Sequence, residues 1–310
     1  MARLKQATIT ALGILLVSVH PNHGGAQLIG SGEVLEWQSP PPDHRISYGP
    51  APQQFGNLRL PTGASPHPTV VFIHGGCWLS AFDIQHVGQT EVAIAEAGYA
   101  VWSIEYRRLG DEGGGWPSTY LDVGQGIDHL REMAQPYNLD LSRVVVAGHS
   151  AGGALALWAA ARGKVDDQSA LYTPNPLPVQ AVFALAPAAD LEALEERGSC
   201  GNAVGRLMGG TPAEYPERYQ AASPMQLAPI SVPQTLLIGG QDFVWAPPGR
   251  SYYHRALTLG TEDLRIVDLP DSGHFEMVSP STTSWRLVIS ALKETFESMT
   301  PLGELDGQVR

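Results

Sequence analysis

Arg143-Val144-Val145-Val146-Ala147-Gly148-His149-Ser150-Ala151-Gly152 is the stretch that decides the fold. Arg143 to Ala147 is a short β-branched run of the kind buried on both faces of a parallel sheet. Beyond it, Ala154, Leu155, Leu157, Trp158 and Ala161 recur at helical spacing. A serine between two such elements occupies a tight strand-to-helix turn. Small residues are needed two before and two after it, because a Cβ at either place would meet neighbouring backbone. The turn lifts the Ser150 hydroxyl clear of the sheet and aims the first helical N–H groups at whatever it attacks. A bare G-x-S-x-G arises by chance in many chains. Between a buried strand and an apolar helix it is specific.

Working outward, Thr69 to Ile73, Tyr99 to Ile104, Ala181 to Leu185, Thr235 to Gly239 and Leu264 to Leu269 read as further strands. Helical stretches lie between them, from about Ile84 to Ala97 and from Thr119 to Met133. Such alternation predicts an α/β fold: a mostly parallel central sheet covered by helices on both faces. From Gly32 to Leu60, short alternating runs broken by Pro40-Pro41-Pro42 predict antiparallel edge strands. A segment from about residue 190 to 231 has short helical and turn character without strands, and is expected to form a small cap over the site. No repeat or linker divides the chain, so residues 27–310 are expected to form a single domain.

The chain has 310 residues and a formal net charge of −12, with no cluster of Lys or Arg, which argues against nucleic acid or an anionic membrane as partner. Arg3 and Lys5 precede an apolar stretch from Ala7 to Val19, too short to span a bilayer, and small residues ending at Ala26. Residues 1–26 therefore read as a cleaved signal peptide, with a secreted or periplasmic product and no stable membrane anchor. A cytoplasmic protein with a hydrophobic arm is the alternative. Cys77 and Cys200 are the two cysteines. In an exported protein such a pair can bridge, but the spacing offers no sign of it and no metal site, and two separate thiols are expected.

A serine hydroxyl at neutral pH needs a base to take its proton and a carboxylate to orient that base. His274 follows the last strand in Asp271-Ser272-Gly273-His274-Phe275, and Asp242 follows the penultimate one in Gly239-Gly240-Gln241-Asp242. The order Ser150, Asp242, His274 suits this sheet type. Asp190 also follows a strand and is the rival acid, whereas Asp268 and Asp271 lie too near His274 to orient its ring. His74-Gly75-Gly76-Cys77-Trp78 follows the first long strand, where glycines let backbone N–H groups approach an oxyanion. With Ala151, the N–H groups of Gly75, Gly76 and Cys77 are the candidate donors. His74 is expected to hold this loop, and His149 to project away from the nucleophile. Trp78, Trp116, Phe243, Trp245 and Phe275 are expected to wall the substrate pocket. Glu105, Arg107 and Arg108 are expected to form a charged network with Asp122 that pins the Gly113–Pro117 loop.

These motifs, with Glu105-Tyr106-Arg107-Arg108 and Gly113-Gly114-Gly115-Trp116-Pro117, resemble the α/β-hydrolase superfamily. The similarity is to hormone-sensitive-lipase-like carboxylesterases and to arylformamidases, over about Pro68 to Phe296. It implies Ser150 as nucleophile, Asp242 and His274 as its partners, and the N–H groups of Gly76, Cys77 and Ala151 as oxyanion donors, with no metal or organic cofactor. The expected activity is hydrolysis of a small-molecule carboxylic ester through an acyl-enzyme. Amide or formamide hydrolysis by the same groups is the alternative, and a non-catalytic binding protein on this fold a distant one.

Overall fold

The computed structural model describes residues 28–299. The expected leader, residues 1–26, lies outside them. Eight strands make up one sheet: β1 (His44–Ser47), β2 (Phe55–Arg59), β3 (His67–Ile73), β4 (Ala100–Ile104), β5 (Leu139–His149), β6 (Ala181–Leu185), β7 (Gln234–Gly239) and β8 (Leu264–Leu269). Their spatial order is β1-β2-β4-β3-β5-β6-β7-β8. β1 and β2 run antiparallel at one edge, and every pairing from β4 to β8 is parallel. This is the α/β-hydrolase fold expected from the sequence.

The helices are α1 (Ser31–Val34), α2 (Gly88–Glu96), α3 (Ser118–Asp128), α4 (Leu130–Met133), α5 (Ala151–Ala161), α6 (Leu191–Glu196), α7 (Ser199–Met208), α8 (Pro216–Ala222), α9 (Pro224–Leu227), α10 (Ala246–Thr258) and α11 (Trp285–Ser298). Side chains alternate across each strand. Val144 and Val146 of β5 thus face a core shared with α3, α5 and α10, while Val145 and Ala147 face one shared with α2 and α11. Two apolar layers explain why the central strands read as continuous hydrophobic runs.

The sequence differs from the structure in two places. Residues 31–34, expected within a run of edge strands, form the single turn α1, and pairing begins only at His44. The prolines at 40–42 carry no N–H to donate to a ladder, so the sheet starts beyond them. Meanwhile α5 is buried almost all round, from Ala151 to Ala159 and at Ala161. Such a helix needs cover on its outer side. The segment after β6 supplies it: the Trp158 indole N–H donates to the carbonyl of Ala221, 3.1 Å away, at the end of α8.

Ser150, the Gly75–Trp78 loop, Asp242 and His274 follow β5, β3, β7 and β8 respectively. All four therefore collect beyond the carboxyl edge of one sheet, where open α/β sheets bind ligands.

Candidate active site

Ser150 sits at φ 56°, ψ −118°, between β5 and α5. This is costly backbone for a residue with a side chain, tolerated where the surroundings over-determine it. They do so here by crowding. A Cβ on Gly148 would lie 2.2 Å from the carbonyl oxygen of Gly152, and one on Gly152 would lie 2.0 Å from that of Ile73. The Ser150 N–H donates to Leu185 of β6 at 2.8 Å, and its carbonyl accepts from Ala188 at 3.0 Å. The elbow is locked to β6 and the loop that follows it.

His274 Nδ1 lies 2.6 Å from Asp242 Oδ2. An imidazole that donates from Nδ1 keeps Nε2 as the acceptor, which is the tautomer a general base needs. Asp242 is buried, and its other oxygen accepts the N–H of Trp245 at 3.0 Å. The loops carrying the pair are bonded to each other, with Gln241 N–H donating to Ser272 O at 2.9 Å and Gly240 N–H to Leu269 O at 2.8 Å. The competing carboxylates have other partners. Asp190 caps α6 through the N–H of Ala193, and Asp268 pairs with Arg250.

His149 is buried against this base rather than clear of the machinery. Its ring centroid is 4.5 Å from that of His274, and its Nε2 donates to the His274 carbonyl at 2.9 Å. Burial holds its pKa well below the ordinary histidine value, and the neighbouring His274 adds to that effect. It is a neutral support beneath the loop that carries His274.

On the opposite side, the loop after β3 carries Gly76, Cys77 and Trp78 at φ 101°, 55° and 56°. Among the described residues the N–H groups of Gly76, Cys77 and Ala151 donate to nothing, so all three are available to an oxyanion. His74 anchors the loop as expected, by Nδ1 to Gly75 O and Nε2 to Glu105 Oε1, both 2.9 Å. Burial pushes the Glu105 carboxyl up, but the facing His74, Arg108 and the Ile84 N–H outweigh it and leave its pKa lowered. The expected network with Asp122 thus splits in two. Arg107 holds Asp122 bidentately at 2.6 and 2.7 Å, while Glu105 serves His74.

Ser150, Asp242, His274, Gly76 and Cys77 line one cavity of about 440 Å³. Phe243, Trp245 and Phe275 line it as expected, with Phe243 81% exposed at the rim. Two expected wall residues do not. Trp78 is 1% exposed and packs into the core beneath the loop. Trp116 lines a separate cavity with Arg218 and Lys164. Leu28, Ile29 and Phe82 also line the cavity that holds Ser150, and sequence reasoning did not find them. Leu28 and Ile29 lie in an N-terminal strap, tied by the Ile29 N–H to Glu276 at 2.5 Å, and no periodicity marks it.

The cysteines are the main correction. Cys77 and Cys200 form a disulfide, with Cα atoms 6.1 Å apart across 123 residues of sequence. That separation is within the reach of a bridge, a fact the spacing could not reveal. No residue of the segment 190–231 lines the cavity that holds Ser150 and His274, so this segment meets the site through Cys200 rather than covering it.

Comparison with known proteins places the chain. The family model described as BD-FAE matches residues 57–252. Esterase LipC of Mycobacterium tuberculosis is 27% identical over 77% of this chain, which spans 61% of that protein's length. An acetyl-hydrolase of Streptomyces hygroscopicus is 26% identical over 70% of this chain and 76% of its own. Among solved structures, an inhibited esterase B from Lactobacillus rhamnosis superposes with a TM-score of 0.72 at 20% identity, covering 87% of this chain and 92% of its own.

Proposed function

The chain belongs to the BD-FAE family, and from that premise we propose that it hydrolyses small carboxylic esters through an acyl-enzyme on Ser150. The observation that carries this reading is the meeting of Ser150, an Asp242-held His274 and unengaged backbone donors in one largely apolar cavity. His274 takes the Ser150 proton as the hydroxyl attacks the carbonyl carbon. The oxyanion forms against Gly76, Cys77 and Ala151, and His274 returns the proton to the leaving alcohol. Water then repeats the sequence to release the acid. The name of esterase LipC supports an ester as the bond cleaved, and that of the acetyl-hydrolase supports removal of an acyl group. Among the described residues lining the cavity there is no Lys or Arg to hold the carboxylate of an amino-acid-derived formamide, which favours the ester over that alternative.

We also propose that residues 1–26 direct export, a reading the Cys77–Cys200 bridge supports, since disulfides persist in oxidising compartments. One experiment addresses both proposals. A fluorophosphonate probe is expected to label protein recovered from the periplasm or medium, with its N-terminus at Gln27. Ser150→Ala is expected to abolish labelling and to lower p-nitrophenyl acetate turnover by on the order of a millionfold. Full turnover by Ser150→Ala ends the catalytic reading. Active protein that keeps Met1 inside the cell ends the export reading.

A further inference from the structure

We propose that Cys200 is a positioning residue for the reaction: its bond to Cys77 fixes the backbone N–H that Cys77 presents to the oxyanion. The proposal rests on the ester-hydrolase reading above.

Among the described residues, neither the N–H nor the carbonyl of Cys77 makes a hydrogen bond. The residues around it are held by their own contacts. Gly76 accepts from Leu79 at 2.9 Å, and Trp78 accepts from Leu109 at 2.8 Å. Cys77 itself, at φ 55°, is tied through its sulfur. A left-handed residue with a side chain is strained and needs something to hold it there.

The other half of the bridge is equally unusual. Cys200, Gly201 and Asn202 are all left-handed, at φ 53°, 66° and 58°, within the first turn of α7. The far end of α7 returns to the same loop system: the Trp116 N–H donates to Leu207 at 2.8 Å, and the 105–117 segment holds Trp78 through Leu109. The bridge therefore closes a frame from Cys77 through α7, Leu207, Trp116 and Leu109 back to Trp78. Cut at Cys200, the frame leaves Cys77, whose N–H and carbonyl make no hydrogen bond among the described residues, free to relax out of its left-handed conformation. A donor displaced by a fraction of an ångström stabilises the transition state less while leaving ground-state binding intact.

The test uses the full chain and measures kcat, KM and the affinity for phenylboronic acid, which forms a tetrahedral adduct on the nucleophile. Cys200→Ser and the Cys77→Ser/Cys200→Ser double variant are expected to lose about ten- to a hundredfold in kcat, short of the hundred- to thousandfold cost of losing a donor outright. KM should stay within about twofold, and boronate affinity should fall in parallel with kcat. Dithiothreitol provides the same comparison without mutation. It supplies two electrons and two protons, breaks the Sγ–Sγ bond, leaves two thiols and becomes the cyclic disulfide. Wild type that stays folded by circular dichroism should drop to the Cys200→Ser rate, and Cys200→Ser should not change. A lower Tm with unaltered kcat and boronate affinity would make the bridge a stabiliser only and overturn the proposal. So would a rise in KM at constant kcat. If Ser150→Ala keeps its turnover, the ester-hydrolase reading itself has failed. An inert Ser150→Ala beside a fully active Cys200→Ser defeats the bridge proposal alone.

Discussion

The two sides of Ser150 are held by different means. On the acid–base side, β7 and β8 are neighbours in the sheet, and their loops bond directly through Gln241–Ser272 and Gly240–Leu269, with His149 supporting His274 from below. On the oxyanion side, Cys77 has no backbone bond and a covalent tether instead. The difference fits the task the proposed mechanism gives each loop. In that mechanism side chains do the chemistry on the first side, so the backbone there is free to hold itself. On the second side backbone N–H groups would be the working parts, and a donor kept for the substrate cannot also anchor its own loop.

The largest expected break falls on the acid–base side. Asp242→Asn should keep the fold and KM while lowering kcat by about ten-thousandfold, because the amide favours the wrong tautomer of His274. Steady-state kinetics with a Tm control check it, and a loss below about tenfold would mean that the hydrogen-bonded loops alone orient the ring.

A middle-sized effect separates two tryptophans that the sequence expected at the mouth. Trp245 lines the cavity, its ring 5.4 Å from that of His274, whereas Trp116 lines the other cavity. Trp245→Ala should raise KM for an aryl ester by about tenfold, the equivalent of about 1.4 kcal/mol of lost apolar contact. Trp116→Ala should leave both constants within about twofold. Equal effects of the two would contradict the placement of the substrate.

The smallest and most gradual effect is acid sensitivity. Burial lowers the pKa of His86 to about 3 and holds that of His149 well below the ordinary value of 6.5. Below pH 6.5 the unfolded chain therefore binds protons that the folded chain refuses, and stability falls as pH drops from 6.5 towards 3. Glu105, with its pKa lowered from 4.5, adds a loss that begins below that value. Tm measured from pH 8 to pH 4 should decline once below 6.5, and a Tm that rises over that interval would contradict neutral burial of these rings.

Much of this was legible in the chain. Short-range rules located the elbow, since Gly148 is required by its contact with Gly152 in the turn itself, whereas Gly152 is required by Ile73 of the neighbouring β3. Asp242 and His274 were legible because they sit directly after strands whose order the alternation implies. Trp78 was misplaced because its aromatic character suits a pocket or a core equally, and the choice is made by packing between segments far apart in sequence. The bridge and the strap at Leu28–Ile29 were invisible for a common reason. Each joins segments far apart in sequence, and proximity of that kind exists only once the sheet has formed.

The strap has a practical side. Leu28 and Ile29 stand at the lip of the chamber that holds the nucleophile. A purification tag fused just ahead of them would hang beside the entrance through which substrate arrives, and rates recorded on such a fusion would describe the appendage together with the enzyme.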